Sequence, residues 1–397
     1  MNARVIIVAS SLALACGDAG AGGESSFNGG ASAGGESSFN GGAGAGGESP
    51  FNGGAGAAGE SSFNGGVGAG GAGSTGLGGA GGVSGVGGSG GAELPDGLVT
   101  YVTGDPADAV VTPTGPALLL MGGGTDVDAA FAAWVPLIQG GDVVVLRTSG
   151  ADGYNDYLHS EVGGTNSVET MLVTSQTLAN SDYVAERLAN AEAIFMAGGD
   201  QATYVTAWKG TRVETEIEAA YARGAVIGGT SAGCAVLGDF AFAALEDTVY
   251  SDEALEDPYN PYMTMEHELL DLPPLVHVIT DTHFAERDRM GRLVGFVART
   301  IQDGWADETL GIGVDEATAL FVDASGVGTV MGEGSVYVVR SNGVPATCAP
   351  GATLEYQGLE LVELIAGQTV NLPNGDSSVA STPLAASDGV TVPAAPY

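Results

Sequence analysis

Gly229-Thr230-Ser231-Ala232-Gly233 sets one serine between two glycines, and a short apolar run at 225–227 leads into it. A serine held on a tight strand-to-helix turn projects its hydroxyl past the end of the strand, where it can act as a nucleophile. Side chains beside such a turn would strike the adjoining strand and helix, so glycine is the residue the geometry asks for. The helix that follows supplies backbone N–H groups for an oxyanion. The chemistry implied is acyl transfer through a covalent intermediate, which needs a base and a group that orients the base.

Four histidines are available as the base. His283, in Thr280-Asp281-Thr282-His283-Phe284, directly follows an apolar run. That sets it at the carboxyl end of a strand, where it can face Ser231. His277 falls inside the same run and reads as a core or face residue, while His159 and His267 fall in polar loops with no motif around them. Gly311-Ile312-Gly313-Val314-Asp315-Glu316 closes a further short strand, and Glu316 or Asp315 can orient an imidazole there. Asp281, two residues before the histidine, is a rival for that task.

Of 11 basic residues, three fall in one short window: Arg287, Arg289 and Arg292. Guanidinium forks clamp carboxylates bidentately, so the window reads as a surface that holds anionic substrate groups. Local pairing with Glu286 and Asp288 is the alternative. Asp252, Glu253, Glu256, Asp257 and Glu266 form an acidic stretch just before it, suited either to receiving cationic groups or to a solvated loop.

These residues need a scaffold, and the pattern from residue 94 onward provides one. Short apolar runs alternate with longer amphipathic stretches, the signature of an α/β fold with a parallel or mostly parallel sheet sandwiched by helices. Strands are expected at 117–121, 142–146, 193–196, 225–227, and near 276–279 and 312–314. Gly122-Gly123-Gly124 and Gly198-Gly199-Asp200 end two of them. A helix is expected over about 203–223, with Val205, Trp208, Val213, Ile217 and Tyr221 on one face. A second helical run follows Ser231. Residues after about 370, with Pro383 and Pro393, read as an ordered edge or a loose tail.

The N-terminal part is of another kind. Asn2-Ala3-Arg4 followed by an apolar run at 5–15 reads as an export signal over 1–16, too short to span a bilayer. It ends Leu12-Ala13-Leu14-Ala15-Cys16, which resembles a bacterial lipoprotein processing site with Cys16 as the lipidated residue; plain secretion is the alternative. Residues 17–93 repeat a 12-residue glycine-rich unit with Phe27, Phe39, Phe51 and Phe63 as its large apolar residues. One such residue per unit cannot offset the backbone entropy of folding, so this stretch reads as a disordered tether reaching about 50 Å. Residues 94–397 are then the catalytic domain.

With 48 acidic against 11 basic residues, the net charge is −37. No basic stripe is present, which excludes nucleic acid as a partner. The three cysteines, Cys16, Cys234 and Cys348, are too few for a disulfide scaffold. Cys234, in an apolar run, reads as a small buried core residue, and a Cys234–Cys348 bridge is a further option.

Four segments together resemble the cyanophycinase family of serine peptidases: Gly198-Gly199-Asp200-Gln201, Gly229-Thr230-Ser231-Ala232-Gly233, Asp281-x-His283-Phe284-x-x-Arg287-x-Arg289-x-Gly291-Arg292 and Gly313-Val314-Asp315-Glu316. Their order and separations match over about residues 115–370. The chain order serine, histidine, acid differs from that of lipase-like hydrolases, where the acid precedes the histidine. The resemblance implies a fold similar to class I glutamine amidotransferases, with Ser231 as nucleophile, His283 as general base and Glu316 as its orienting acid. It places the oxyanion hole at the N–H groups of Gly199 and Ala232, and substrate contacts at Gln201, Asp281, Thr282, Arg287, Arg289 and Arg292. No metal or organic cofactor is implied. The family hydrolyses cyanophycin, an aspartate backbone carrying arginine on each side-chain carboxyl, to β-aspartyl-arginine, and is often dimeric. One position departs: cyanophycinases carry glutamine between the aspartate and histidine, where this chain has Thr282, and a short hydroxyl cannot make the contacts of a long amide. The expectation is an exported peptidase acting on cyanophycin or related β-aspartyl peptides, with a membrane contact only through a lipid anchor. A lipase-like esterase and a non-catalytic binding module are the competing readings.

Overall fold

The computed structural model describes residues 91–397. The expected export signal, the lipidation residue Cys16 and the glycine-rich repeats up to residue 90 lie outside the described residues. Two β-sheets carry the described part. The first has ten strands, and its centre is parallel: Ser167–Leu172, Asp142–Arg147, Ala193–Met196, Val226–Thr230 and Ala117–Met121 lie side by side in that order. Antiparallel strands extend both edges, Val99–Gly104 on one side and Thr318–Val322 with Val327–Gly332 on the other. The second sheet has eight strands, in which Val278–Thr282 and Leu310–Val314 run parallel and Val336–Arg340 and Tyr356–Leu364 continue antiparallel.

The α/β class expected from the sequence is present, with helices flanking sheets, but one parallel sheet becomes two mixed ones. The runs that were legible are strands buried on both faces, which read as continuous apolar segments and so mark only the parallel centre. Ala117, Leu119 and Met121 pack on one side of the first sheet with Phe131, Trp134 and Phe195. Leu118 and Leu120 point the other way and join a core shared with Val278, Ile312 and Val338 of the second sheet. The period of two along a strand thus fills both layers at once. The outer face of the second sheet is covered by the helix Met290–Gln302, through Leu293, Phe296 and Val297.

The long helix expected at 203–223 is two, Gln201–Trp208 and Arg212–Arg223. Gly210 at φ 72° turns the chain between them, and the Thr211 hydroxyl donates to the Trp208 carbonyl at 2.6 Å. The apolar stripe nevertheless continues across the break, with Val205, Trp208, Val213, Ile217 and Tyr221 all buried. The helical run after Ser231 is a single turn, Ala232–Ala235. The last residues form strands, including Thr382–Ser387 and Val390–Val392. Tyr397 packs edge-on against Phe284 and Tyr337, and its hydroxyl oxygen accepts from the Met290 N–H at 2.7 Å. Cys234 and Cys348 are both free and buried, so no bridge joins them. Among the described residues no helix is long and apolar enough to cross a membrane.

Candidate active site

Ser231 follows the strand Val226–Thr230 with φ 52° and ψ −122°, a strained conformation that points its side chain out of the sheet. The flanking glycines are obligatory by contact. A Cβ on Gly229 would lie 2.4 Å from the Gly233 carbonyl oxygen, and one on Gly233 would lie 2.1 Å from that of Met196. The elbow is therefore closed on itself and on the neighbouring strand.

His283 follows the strand Val278–Thr282, also at positive φ (47°), and its Nε2 stands 2.7 Å from Ser231 Oγ. Its Nδ1 stands 2.6 Å from Glu316 Oε1. Between the three acids considered for this place, the structure distinguishes clearly. Asp315 accepts from the Ala285 and Ser335 N–H groups at 2.9 and 3.0 Å, so it staples loops. Asp281 is turned to Arg292. Glu316 alone reaches the imidazole.

The three groups come from two sheets, and one strand end ties them. Carbonyls of three successive residues after and within Ala117–Met121 accept from them: Met121 O from Ser231 N–H (3.2 Å), Gly122 O from His283 N–H (2.8 Å), and Gly123 O from Ala317 N–H (3.0 Å). Gly123 lies so close under the imidazole that a Cβ there would sit 2.4 Å from a ring carbon. The sequence showed this glycine run only as a strand end; its spacing holds no hint of the job it does.

Burial lowers the His283 pKa below its ordinary value, and the nearby positive charges of Arg287 and Arg289 lower it too, against the opposing pull of Glu316. The ring is thus held neutral at neutral pH with Nε2 free to take a proton from Ser231, once Nδ1–H donates to Glu316. Gly198 lies against Ser231, where a Cβ would be 3.5 Å from the serine Cβ. Neither the Gly199 nor the Ala232 N–H donates to an acceptor among the described residues.

The expected substrate contacts divide. Arg287 is exposed and, among the described residues, has no ionic partner. Gln201 is half-buried, and its Nε2 donates to the Phe242 carbonyl at 2.8 Å. Asp281, Thr282 and Arg292, expected to touch substrate, are instead 2%, 3% and 3% exposed. Arg292 spends its fork on Asp281, Nε to Oδ2 at 2.7 Å and Nη2 to Oδ1 at 2.6 Å, with Nη1 on Thr248 Oγ1 at 3.1 Å. Its guanidinium also lies over the Phe242 and Phe296 rings. Four of its five N–H donors are taken inside the protein, so this buried side chain is not presented to a ligand. Arg289 joins the same group, with Nη1 donating to the Thr282 carbonyl at 2.7 Å, and burial pushes its pKa down to about 10. No arginine of the window pairs with Glu286 or Asp288.

In the acidic stretch, Glu266 is taken by Lys209 at 2.7 Å, and Glu253 accepts from the Tyr250 N–H at the start of the helix Ser251–Glu256. His277, expected within its strand, precedes it, exposed at φ 58° and stacked on Phe240. His159 lies in a short π-helical turn and His267 in the strand Met265–His267, neither in the site.

Parts of this chain are similar to known proteins. The cyanophycinase of Synechococcus elongatus is 31% identical over 185 residues, covering 46% of this chain and 52% of that protein. That of Trichormus variabilis is 32% identical over 189 residues, 47% of this chain and 58% of its own length. The chain therefore spans little more than half the length of the curated relatives it matches. Among solved structures, a peptidase from an acI-B1 Actinobacterium matches with a TM-score of 0.45 and 14% identity, over 65% of this chain and 97% of that one. Residues 159–330, which hold Ser231, His283 and Glu316, match the family described as peptidase family S51.

Proposed function

We propose that this chain is a serine peptidase that cleaves cyanophycin to β-aspartyl-arginine through an acyl-enzyme on Ser231. The observation that carries the reading is the unbroken line from Ser231 Oγ through His283 to Glu316, at 2.7 and 2.6 Å. In the first half-reaction Ser231 Oγ adds to the scissile carbonyl carbon while its proton passes to His283 Nε2. Glu316 stabilises the imidazolium, and the N–H groups of Gly199 and Ala232 receive the oxyanion. Collapse breaks the C–N bond as the imidazolium protonates the leaving amine. Water then adds to the ester by the same proton route and regenerates the serine. Arg287 holds a substrate carboxylate from the exposed side of the histidine, and Gln201 and Arg289 line that side; Asp281, Thr282 and Arg292 act beneath it as support.

Two features support cyanophycin over an acyl ester: the relatives are cyanophycinases, and an arginine window borders the histidine. The net charge of −37 also suits a polymer rich in guanidinium groups. The proposal extends to a lipid anchor at Cys16, to export, and to a homodimer, which labelling with a radioactive fatty acid and sedimentation would each test. The direct test is dipeptide release from purified cyanophycin by the full chain beside Ser231→Ala. Release by the parent alone is the expected result. A well-folded parent that leaves cyanophycin intact but cuts short β-aspartyl peptides would move the substrate to those peptides, with Thr282 the first position to restore to glutamine. Inertness towards both would overturn the reading.

A further inference from the structure

A chain with 48 acidic and 11 basic residues has every means to neutralise its cations. Seven of the described basic side chains do meet a carboxylate, from Arg187 on Glu169 to Arg340 on Asp376. Arg147 does not. It ends the strand Asp142–Arg147 at the carboxyl edge of the first sheet, half-buried, and its only hydrogen bond is Nε to the Ser149 carbonyl at 2.9 Å. The loop after it closes over the guanidinium so tightly that a Cβ on Gly150 would meet Nη2 at 2.8 Å. A cation built into a wall and left without a counter-charge is a site waiting for an anion.

The register tells where that anion would lie. Leu146 is level with Met196, and Met196 with Gly229, so Arg147 stands beside the Ala197–Gly199 turn and two strands, about 10 Å, from the serine elbow. Thr148, the next residue, has a buried hydroxyl with no partner among the described residues, 3.0 Å from where a Gly199 Cβ would be. Across the edge the order is Arg147, Gly199, Ser231, then Gly123 with His283. The imidazole must reach the leaving amine, so the leaving group lies on its side. The acyl part of the substrate lies on the other side, towards Arg147.

The geometry points to Arg147 as the anchor for a carboxylate carried by the acyl residue of the substrate, opposite the exposed Arg287 on the leaving-group side. This rests on the peptidase reading above and names its substrate class: acyl donors with a free carboxylate on the side chain, as the arginine linked to each aspartate of cyanophycin provides. Gly199, if it receives the oxyanion, then lies between the anchored carboxylate and the reacting carbonyl.

The test is binding of β-aspartyl-arginine and of its C-terminal amide to the full chain carrying Ser231→Ala, by calorimetry. The amide lacks only the carboxylate assigned to Arg147. The acid should bind about 10- to 100-fold tighter than the amide, the range of one charge-assisted pair. Adding Arg147→Gln should collapse that ratio to below about 3-fold, while Arg147→Lys should keep part of it. The ratio is internal to each protein, so loss of fold, which removes binding of both forms, cannot imitate the result. Equal affinity for acid and amide in the Arg147 protein, or no binding of either, overturns the anchor without any Arg147 variant. A ratio that depends on Arg147 in a protein that cleaves no β-aspartyl peptide would keep the anchor and overturn the peptidase reading instead. Cleavage with a ratio indifferent to Arg147 would do the reverse.

Discussion

Asp281→Asn tests whether the buried ion pair beneath the histidine is structural. The two side chains are 3% and 4% exposed, and the change removes one charge while keeping the shape. Arg292 then loses its only carboxylate and keeps Thr248 Oγ1, the Val249 carbonyl and the faces of Phe242 and Phe296. Breaking a buried pair from one side costs about 3–5 kcal/mol. The aromatic faces offset a part of it, up to about 2 kcal/mol for a desolvated cation. Removing the other partner, Arg292→Met, should cost less, because Asp281 retains the Thr282 N–H at 2.8 Å and Arg289 at 3.5 Å. Replacing both, Asp281→Leu with Arg292→Met, should be less destabilising than Asp281→Asn alone, since an apolar pair carries no unpaired charge. Urea unfolding followed by circular dichroism gives the three values. Because Asp281 and Arg289 hold the N–H and carbonyl of Thr282, kcat on cyanophycin should fall in Asp281→Asn by more than KM rises. Single changes within about 1 kcal/mol of the parent, or strictly additive ones, would refute the reasoning.

Gly123→Ala forces a methyl to within 2.4 Å of the imidazole; kcat should fall about 100-fold, as for a misplacement of about 1 Å, with the folded circular-dichroism spectrum retained. Arg287→Gln removes a charge that lowers the His283 pKa, so that pKa rises and the acid limb of kcat/KM moves to higher pH. Glu316→Gln removes the group that raises it, so any residual activity should show the opposite displacement; a pH–rate profile for each checks both signs. Cys234 and Cys348 are buried, and burial pushes the Cys348 thiol up to about 12. Neither should take up a thiol reagent until the chain unfolds, which peptide mass mapping would show.

The serine, the histidine and the acid were legible because each sits at a strand's end beside glycine or acidic residues whose spacing reflects local geometry. The elbow glycines are local in this sense: Gly229 and Gly233 meet each other. The support was not legible because it is assembled from segments far apart. Arg292 and Asp281 carry the types expected of a substrate clamp, and nothing in their spacing reveals that Phe242, Phe296 and Thr248 seal them in. The second sheet escaped for a related reason. Its antiparallel strands, such as Tyr356–Leu364, where exposed residues interrupt the buried ones, lack the continuous apolar runs that mark the parallel centre. Arg147 gave no signal of its own. Its meaning comes from having no carboxylate partner among the described residues, which only the folded arrangement discloses.

The acid reaches the site by changing sheets. Leu310–Val314 belongs to the second sheet and Thr318–Val322 to the first, so Asp315, Glu316 and Ala317 are the crossing between them. Each end of that crossing is pinned: Asp315 by its two loop N–H groups, Ala317 by the Gly123 carbonyl. The histidine strand is bound to the elbow in turn, since the Thr280 hydroxyl donates to the Cys234 carbonyl at 2.7 Å. A triad spread over two sheets would loosen with any sliding of one layer on the other. Here such sliding would break the backbone bonds at Gly122 and Gly123 together, in a region where each unmade buried bond costs about 1–3 kcal/mol. The alignment of Ser231, His283 and Glu316 is therefore tied to the packing between the sheets.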